Sequence, residues 1–214
     1  MKAQFVAVAV GVVAAVACVS GCSGGSGSGG SPASVSAPVS PSATGKTLPY
    51  AGAPKVENPL PDSVLSAHPC DSALTPDQVG AALTQKPRGE HDDKPELGAQ
   101  CHWINSDVGA GVSVIYVTKV TDGLSAVYAN TKPQSTVWRP LSPIQGLPAV
   151  AHSTYSTEGS KSFCQVSVGI SDKYTVGVSV NLSPAKVGAQ HDPCDAATQV
   201  AGMVVTNLKQ KAGA

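Results

Sequence analysis

The stretch Cys164–Asn181, CQVSVGISDKYTVGVSVN, decides the fold because apolar and polar residues alternate along it in two runs. Asp172 and Lys173 separate the two runs and suit a short turn. Alternation with a period of two on both sides of a turn is the pattern of an antiparallel β-hairpin with one apolar face. The alternating apolar residues are Cys164, Val166, Val168 and Ile170, followed by Tyr174, Val176, Val178 and Val180.

Two helices are predicted to cover this apolar face. Thr75-Pro76-Asp77-Gln78 predicts the start of the first helix, because it combines an N-cap threonine, a proline at the first helical position and a capping-box glutamine. Pro87 ends that helix, and the second helix begins at Asp192-Pro193 near the C-terminus. The apolar stripes are Val79, Ala82 and Leu83 in the first helix, and Ala197, Val200, Ala201, Val204 and Leu208 in the second. The predicted fold class is α+β, a mostly antiparallel sheet with an N-side helix and a C-terminal helix packed on it.

Shorter elements lie between these landmarks. Leu124–Lys132 predicts a short helix that ends before Pro133. Pro87–Gln100 is a polar loop, and its carboxylate cluster Glu90–Lys94 is interpreted as solvated loop, with a calcium or catalytic site as the alternative. The further predicted strands are Cys101–Ile104, Gly111–Lys119, Thr136–Arg139 and Leu147–His152.

Cysteine spacing predicts two disulfides in the folded part of the chain. The four cysteines there allow three pairings. We favour Cys70–Cys101 and Cys164–Cys194 because the two separations are nearly equal. The sequence Pro-Cys-Asp also occurs at both Cys70 and Cys194, so each predicted bridge would join a helix start to a strand. Two disulfides are therefore part of the predicted fold class.

A zinc site is the competing interpretation of these cysteines and the nearby histidines. The sequence contains neither the CxxC nor the HExxH spacing typical of zinc ligands. Oxidising export also favours disulfides over thiolates. We therefore predict no metal and no cofactor. The residues that such a cluster would need are His68, Cys70, Cys101, His102, His191 and Cys194.

The first residues predict a secretory signal peptide. Lys2 gives a positive start, Ala3–Val19 is almost purely apolar, and small residues follow at Ser20 and Gly21. The stretch Val19-Ser20-Gly21-Cys22 resembles the lipobox of bacterial lipoproteins. That resemblance implies cleavage before Cys22, a diacylglycerol on its thiol, and an acyl group such as palmitate on the new amino terminus.

The chain therefore divides into three predicted parts. Residues 1–21 are a cleaved lipoprotein signal peptide, residues 22–59 are the lipidated Cys22 with a flexible Gly/Ser/Pro/Ala tether, and residues 60–214 are a single folded domain. We expect an exported protein held by its lipid on the extracytoplasmic face of the cell membrane. Lys plus Arg and Asp plus Glu number 14 each, so the zero net charge argues against a nucleic-acid partner.

Five segments in this order carry a family resemblance: HPCDSALTPDQVGAAL, CHW, GLPAV, CQVSVGI and DPCDAATQVAGMVVTNL. They are similar to a family of actinobacterial, notably mycobacterial, exported lipoproteins that is defined by a domain of unknown function. The resemblance covers about Pro61 to Leu208. The first Pro-Cys departs from the family pattern, since His68 stands where an aspartate is common. The family implies an envelope location and disulfides and supplies no activity.

No catalytic constellation is identified in the sequence. Ser183-Pro184-Ala185-Lys186 matches the S-x-x-K motif of penicillin-interacting serine enzymes, but the companion motifs S-D-N and K-T-G are missing from the sequence. We therefore predict that the protein is not an enzyme. Trp103 and Trp138 are interpreted as packing anchors rather than ligand platforms.

The polar face of the hairpin is interpreted as a solvated or helix-covered face, and it is also the one candidate binding surface. It is small-sided and uncharged, and it is composed of Gln165, Ser167, Gly169, Ser171, Thr175, Gly177, Ser179 and Asn181. Glycines in a strand permit close approach of a ligand or a second layer. The predicted function is a tethered, non-enzymatic module that binds an envelope protein, a glycan or a lipid. The alternatives are an accessory scaffolding lipoprotein without a ligand and, less favoured, an envelope hydrolase.

Overall fold

The computed structural model describes residues 46–213 and shows one seven-stranded sheet in which every neighbouring pair is antiparallel. The strand order is β1-β2-β3-β7-β6-β5-β4, so the chain builds one side of the sheet, crosses to the far edge and returns to the centre. The strands are β1 (Glu90–His91), β2 (Gln100–Asn105), β3 (Ala110–Val117), β4 (Val137–Pro140), β5 (Ala149–Ser153), β6 (Phe163–Gly169) and β7 (Thr175–Asn181).

Five α-helices accompany the sheet within the described residues. They are α1 (Pro69–Ser72), α2 (Pro76–Leu83), α3 (Gly123–Ala126), α4 (Pro184–Gly188) and α5 (Pro193–Ala212). A π-helical segment, Val127–Thr131, and a 3-10 turn, Lys132–Gln134, extend α3. Among residues 46–213, no helix has the length and apolar character needed to span a membrane. The α+β prediction with a C-terminal helix is confirmed, whereas α4 was not predicted.

The hairpin that decides the fold forms the centre of the sheet. Residues of β6 and β7 face each other in register, with Val166 opposite Val178 and Cys164 opposite Val180. The helix α5 lies across both strands on the apolar face. Val204 and Leu208 of α5 are fully buried there, as are the hairpin valines. Burial of this one face against α5 is the main hydrophobic contribution to the fold.

Two Pro-Cys helix starts are capped in the same way by different side chains. Asp192 caps α5, because its Oδ1 accepts hydrogen bonds from the backbone N–H groups of Cys194 at 2.7 Å and Asp195 at 3.2 Å. His68 caps α1, because its Nδ1 accepts a hydrogen bond from the backbone N–H of Cys70 at 3.1 Å. The histidine thus replaces the expected aspartate as an acceptor without adding a negative charge.

Both predicted disulfides are present. Cys70–Cys101 joins α1 to β2, and Cys164–Cys194 joins β6 to the first turn of α5. The sequence separations are 31 and 30 residues. The loops do not overlap along the chain, so each bridge fixes one helix start to one strand.

The folded domain begins earlier than the predicted boundary at residue 60. Ala53 and Val56 are buried. The backbone N–H of Val56 donates to Asp172 Oδ1 at 2.9 Å, and the Tyr50 hydroxyl donates to Asp122 Oδ2 at 2.8 Å. Prolines and glycines in this stretch indicated a tether, but a few apolar and aromatic side chains are enough to hold it against the domain. Residues 46–59 therefore belong to the fold.

One further prediction needs correction. The polar loop Pro87–Gln100 contains the short edge strand β1, which pairs with β2.

The hairpin's polar face is partly covered, in agreement with the interpretation of a helix-covered face, because Ser167, Gly169, Thr175 and Gly177 are buried. A second layer made by α3 and residues 53–56 covers one end of this face, where a Cβ at Gly169 would lie 3.0 Å from Leu124 and Val56.

Candidate functional site

A row of five polar side chains crosses the sheet on the face opposite α5. Strand register places its members directly opposite one another, which puts them on one face. We call them the polar row: His152, Gln165, Ser179, Ser113 and His102, on β5, β6, β7, β3 and β2. At the ordinary spacing between strands, the row is about 19 Å long. Single-strand patterns could show only the part of the row on β6 and β7.

The polar row passes through two depressions in the outer face. The larger, the outer groove, has a volume of about 530 Å³, and the smaller, the outer dip, has a volume of about 290 Å³. Phe163 lies in both and joins them. The groove contains His152 and Gln165, and the dip contains Ser113, Ser179 and His102. The outer groove is further lined by Leu97, Val117, Ala126, Val127, Asn130, Thr131, Thr154, Tyr155, Ser167 and Thr175.

The walls of the outer groove come from two segments outside the hairpin. One wall is α3 with its π-helical extension. The helix α3 starts at Gly123, whose backbone has φ +51°. The backbone N–H of Gly123 donates to Lys173 O at 2.9 Å and fixes α3 to the β6–β7 turn. The opposite wall carries Tyr155, whose ring packs edge-to-face with the ring of Phe163, with ring centroids 4.6 Å apart. A helix end and an aromatic pair therefore frame the polar row.

The floor of these depressions holds unused hydrogen-bonding capacity. Within residues 46–213, the side chains of Gln165, Thr175 and Ser179 make no hydrogen bond. Thr175 is buried and the other two are half-buried. In the described part of the chain, Trp138 Nε1 is the one side-chain polar atom that is both buried and unpaired, so the polar atoms of Gln165, Thr175 and Ser179 still reach solvent. Amide and hydroxyl groups both donate and accept hydrogen bonds, and here they are available to a polar ligand in place of water. This arrangement is typical of a surface that a polar ligand completes.

His152 and Ser167 form a buried polar pair at the edge of the groove. His152 Nε2 lies 3.0 Å from Ser167 Oγ, and both residues are less than 7% exposed, at 6% and 3%. Burial lowers the pKa of His152 to about 4, so its imidazole is neutral near pH 7. The distance suits a nucleophile and its base. However, no carboxylate in the described part of the chain hydrogen-bonds to His152, so the group that orients a catalytic histidine is missing there.

Three of the four exposed large hydrophobic residues in the described part of the chain lie at the two depressions. Four large hydrophobic residues are exposed in the described part of the chain: Leu97 at 40%, Ile104 at 52%, Val108 at 46% and Tyr155 at 54%. Leu97 and Tyr155 line the outer groove, and Ile104 lines the outer dip. Clustering of exposed apolar groups around a polar floor indicates an interaction site rather than scattered surface residues.

A larger cleft of about 740 Å³ lies elsewhere, between α1, α2 and residues 86–89. Its main amides are already paired, since Asn207 Nδ2 donates to Gln78 Oε1 at 2.7 Å and Gln78 Nε2 donates to Asn207 Oδ1 at 3.1 Å. Its mouth carries exposed charges, one of which, Lys86, is paired with Asp77. The cleft is lined by the charged side chains Asp71, Lys86 and Arg88, whereas the outer groove combines a polar floor with the exposed apolar side chains Leu97 and Tyr155, so we favour the outer groove as the binding site.

The carboxylate cluster Glu90–Lys94 does not form an open acidic site. Asp92 pairs with Lys94 and lies 3.2 Å from His102 Nε2, and the hydrogen bond from Lys94 lowers the pKa of Asp92. Asp93 Oδ1 lies 2.8 Å from His68 Nε2, and this hydrogen bond lowers its pKa. Both aspartates are therefore already paired with neighbouring side chains, and neither offers a free carboxylate for a metal or a substrate.

The alternative zinc cluster loses its ligands to other bonds. The cluster's cysteines, Cys70, Cys101 and Cys194, are all in disulfides, the last of them with Cys164, and offer no thiolate. His68, Cys70 and His91 do lie together, with the His68 and His91 rings stacked 3.6 Å apart. Both ring nitrogens of His68 are engaged, however, one by the Cys70 backbone and the other by Asp93. His102 pairs with Asp92, and His191 is exposed.

The other residues named in the sequence analysis, Ser183, Trp103 and Trp138, stabilise the fold. Ser183 caps α4, with its Oγ accepting from the Lys186 backbone N–H at 3.4 Å, so the S-x-x-K match is a helix start. Trp103 is a buried part of the main core. Trp138 packs on the outer face against Tyr128 and His152. Cys22, the signal peptide and most of the tether lie outside the described residues.

These features define a two-disulfide α+β domain with a neutral groove on the outer face of its sheet. The chain belongs to DUF3558, a family of proteins of unknown function, whose family model matches residues 17–207. Searches of curated proteins and of solved structures found no match. Membership of this family indicates common ancestry but gives no activity, which has to be inferred from the site.

Proposed function

We propose that this protein is a lipid-anchored binding protein of the actinobacterial cell envelope, and that it works without catalysing a reaction. Its domain binds a ligand in the outer groove while its N-terminal cysteine holds it at the membrane. The observation that carries the binding role is the polar floor of the groove and the adjoining dip: the side chains of Gln165 and Thr175 in the groove and of Ser179 in the dip make no hydrogen bond within the described part of the chain.

The residues around that floor support binding rather than catalysis. The groove has an aromatic wall at Tyr155 and Phe163 and a helical wall at α3. Its titratable side chain, His152, is buried, neutral near pH 7 and hydrogen-bonded to Ser167. Few, well-placed polar groups on an otherwise apolar concave surface are typical of ligand sites.

The N-terminal sequence and the disulfides support the anchored location. The lipobox-like stretch Val19-Ser20-Gly21-Cys22 follows an apolar run and precedes a Gly/Ser-rich segment. Both disulfides fit a protein that folds in an oxidising compartment. One acyl chain anchors a protein marginally and two or more anchor it stably, so a diacylglyceryl cysteine with an acylated amino terminus suits permanent attachment.

The binding role is tested by native mass spectrometry of the full mature protein, purified in mild detergent from an actinobacterial host. We expect an added mass that leaves on denaturation. Asn130→Trp places a bulky ring on the exposed rim of the groove and should reduce the bound fraction about tenfold, which corresponds to roughly 1.4 kcal/mol. The matched control is Ala189→Trp, at an exposed position after α4 that does not line the groove.

Two results would contradict the binding role. One is a wild-type protein that carries no added mass and gains none when incubated with an extract of host envelope. The other is an added mass that Asn130→Trp and Ala189→Trp affect equally. Either result would favour the scaffolding alternative.

Lipidation is tested by metabolic labelling with an alkyne fatty acid. Cys22→Ala should abolish the label, because the thiol that receives the diacylglycerol is gone and processing cannot proceed. Cys18→Ala is the matched control and should keep the full label, since Cys18 lies within the predicted signal peptide. Label that persists on Cys22→Ala, or that is lost with Cys18→Ala, would show that Cys22 is not the lipidated residue.

A further inference from the structure

The outer groove and outer dip are uncharged apart from the histidines. None of the residues lining the outer groove in the described structure is Asp, Glu, Lys or Arg, and the same holds for the outer dip. His152 is neutral near pH 7, and His102 already faces Asp92. An anionic ligand would therefore lose its hydration without gaining a counter-charge. Charge complementarity favours a neutral ligand.

The floor favours a ligand rich in hydroxyl groups over an acyl chain. A hydrocarbon would take the polar atoms of Gln165, Ser179 and Thr175 out of water without pairing them, at a cost that apolar contact with Phe163 and Leu97 would have to offset. Hydroxyl groups can both donate to and accept from amide and hydroxyl side chains. A ligand with many hydroxyl groups therefore satisfies the floor whichever way each amide is turned.

The aromatic wall favours a ligand with an apolar face as well. Tyr155 is 54% exposed, and its ring is held edge-on to Phe163. The electron-rich face of an aromatic ring attracts the C–H groups of a neighbouring molecule. A sugar ring presents C–H groups on its faces and hydroxyl groups around its rim. The combination of Tyr155 with the polar row matches that chemistry.

Position on the sheet argues against a peptide. Extended peptides are recognised mainly by backbone hydrogen bonds at a sheet edge, and amphipathic helices by apolar grooves. The polar row instead crosses the middle of the sheet, from β5 to β2, where backbone groups are already used in strand pairing. Side chains alone are available there, which suits hydroxyl recognition.

We infer that the outer groove and the outer dip together form the binding site for a neutral oligosaccharide, laid along the polar row with a sugar face against Tyr155. The inference rests on the proposed binding function and names its ligand class. The row is about 19 Å long, so it accommodates several sugar units rather than one. Phe163, which lies in both depressions, provides continuity between them.

The test is a glycan array that carries neutral and anionic oligosaccharides, probed with the full mature protein in mild detergent, followed by calorimetry with the best neutral binder. We expect binding to neutral oligosaccharides. Tyr155→Ala and Gln165→Ala should each weaken it about tenfold, roughly 1.4 kcal/mol. Tyr155→Phe should bind nearly as well as wild type, because it keeps the ring. Val108→Ala is the control, an exposed apolar residue outside both depressions.

Each result bears on the inference separately from the proposed function. If no neutral oligosaccharide binds, or only anionic ones do, the inference is overturned. A mass retained by wild type and lost with Asn130→Trp would still support the groove as a site for another ligand class, a lipid or a protein. If neutral oligosaccharides bind but Tyr155→Ala and Gln165→Ala bind as well as Val108→Ala, the assignment to the polar row fails. Unchanged melting temperatures show that the variants fold.

Discussion

Replacing Cys164 and Cys194 together by alanine should lower the free energy of unfolding by about 4–5 kcal/mol. Opening a loop of this length restores chain entropy to the unfolded state, and the chain-entropy model gives roughly 3–4 kcal/mol for that term. The remainder comes from the lost packing of two buried sulfur atoms beneath the first turn of α5. Such a loss is a large part of the stability of an ordinary domain.

The measurement is chemical unfolding followed by tryptophan fluorescence under non-reducing conditions. The matched control is the double alanine variant of Cys70 and Cys101, whose separation of 31 residues gives nearly the same entropy term as the 30 residues of the other pair. Cys70 is only half-buried, so this control should lose less. A loss below about 1 kcal/mol for Cys164/Cys194, or a larger loss for the control, would contradict the expected order.

Gly123→Ala should destabilise the domain by about 3 kcal/mol and open the wall of the outer groove. Gly123 has a left-handed backbone, φ +51°, which costs an alanine about 1 kcal/mol. A Cβ there would also lie 2.3 Å from the backbone oxygen of Asp172, a contact that the β6–β7 turn can relieve only by moving. The start of α3 would then move away from the turn to which Gly123 is hydrogen-bonded.

Gly52→Ala separates the two contributions. Gly52 also has a left-handed backbone, φ +78°, but a Cβ there would meet no atom within 4 Å. This variant should therefore lose only about 1 kcal/mol. Equal losses for Gly123→Ala and Gly52→Ala in urea unfolding would show that the contact with Asp172 is unimportant. Ligand retention measured on the same two variants reports whether the position of α3 matters for binding.

Much of the fold could be predicted because the deciding signals are local. Alternation over Cys164–Asn181 specified two strands and their turn, and Thr75-Pro76 and Asp192-Pro193 specified two helix starts. The disulfide pairing was also predictable, since two similar Pro-Cys-Asp sequences marked equivalent positions. Local chemistry agrees with the global structure at each of these points.

The candidate site could be predicted only in part because it depends on strand order. Gln165 and Ser179 are identified from the hairpin pattern. His152 on β5 and His102 on β2 join them only because β5 pairs with β6 and β2 pairs with β3. Nothing local in the sequence indicates that β4 and β5 lie at one edge and β1 at the other. The early start of the domain was missed for a similar reason, since Val56 is held by the distant Asp172.

The order of the two disulfides along the chain has a consequence for oxidative folding. Each cysteine of the folded domain is bonded to its nearest cysteine neighbour in sequence, Cys70 to Cys101 and Cys164 to Cys194. A chain made amino terminus first therefore has both cysteines of the first bridge available before the second pair appears. An oxidase that joins cysteines in order of arrival makes the native pairs directly, and slow reshuffling by an isomerase is not required.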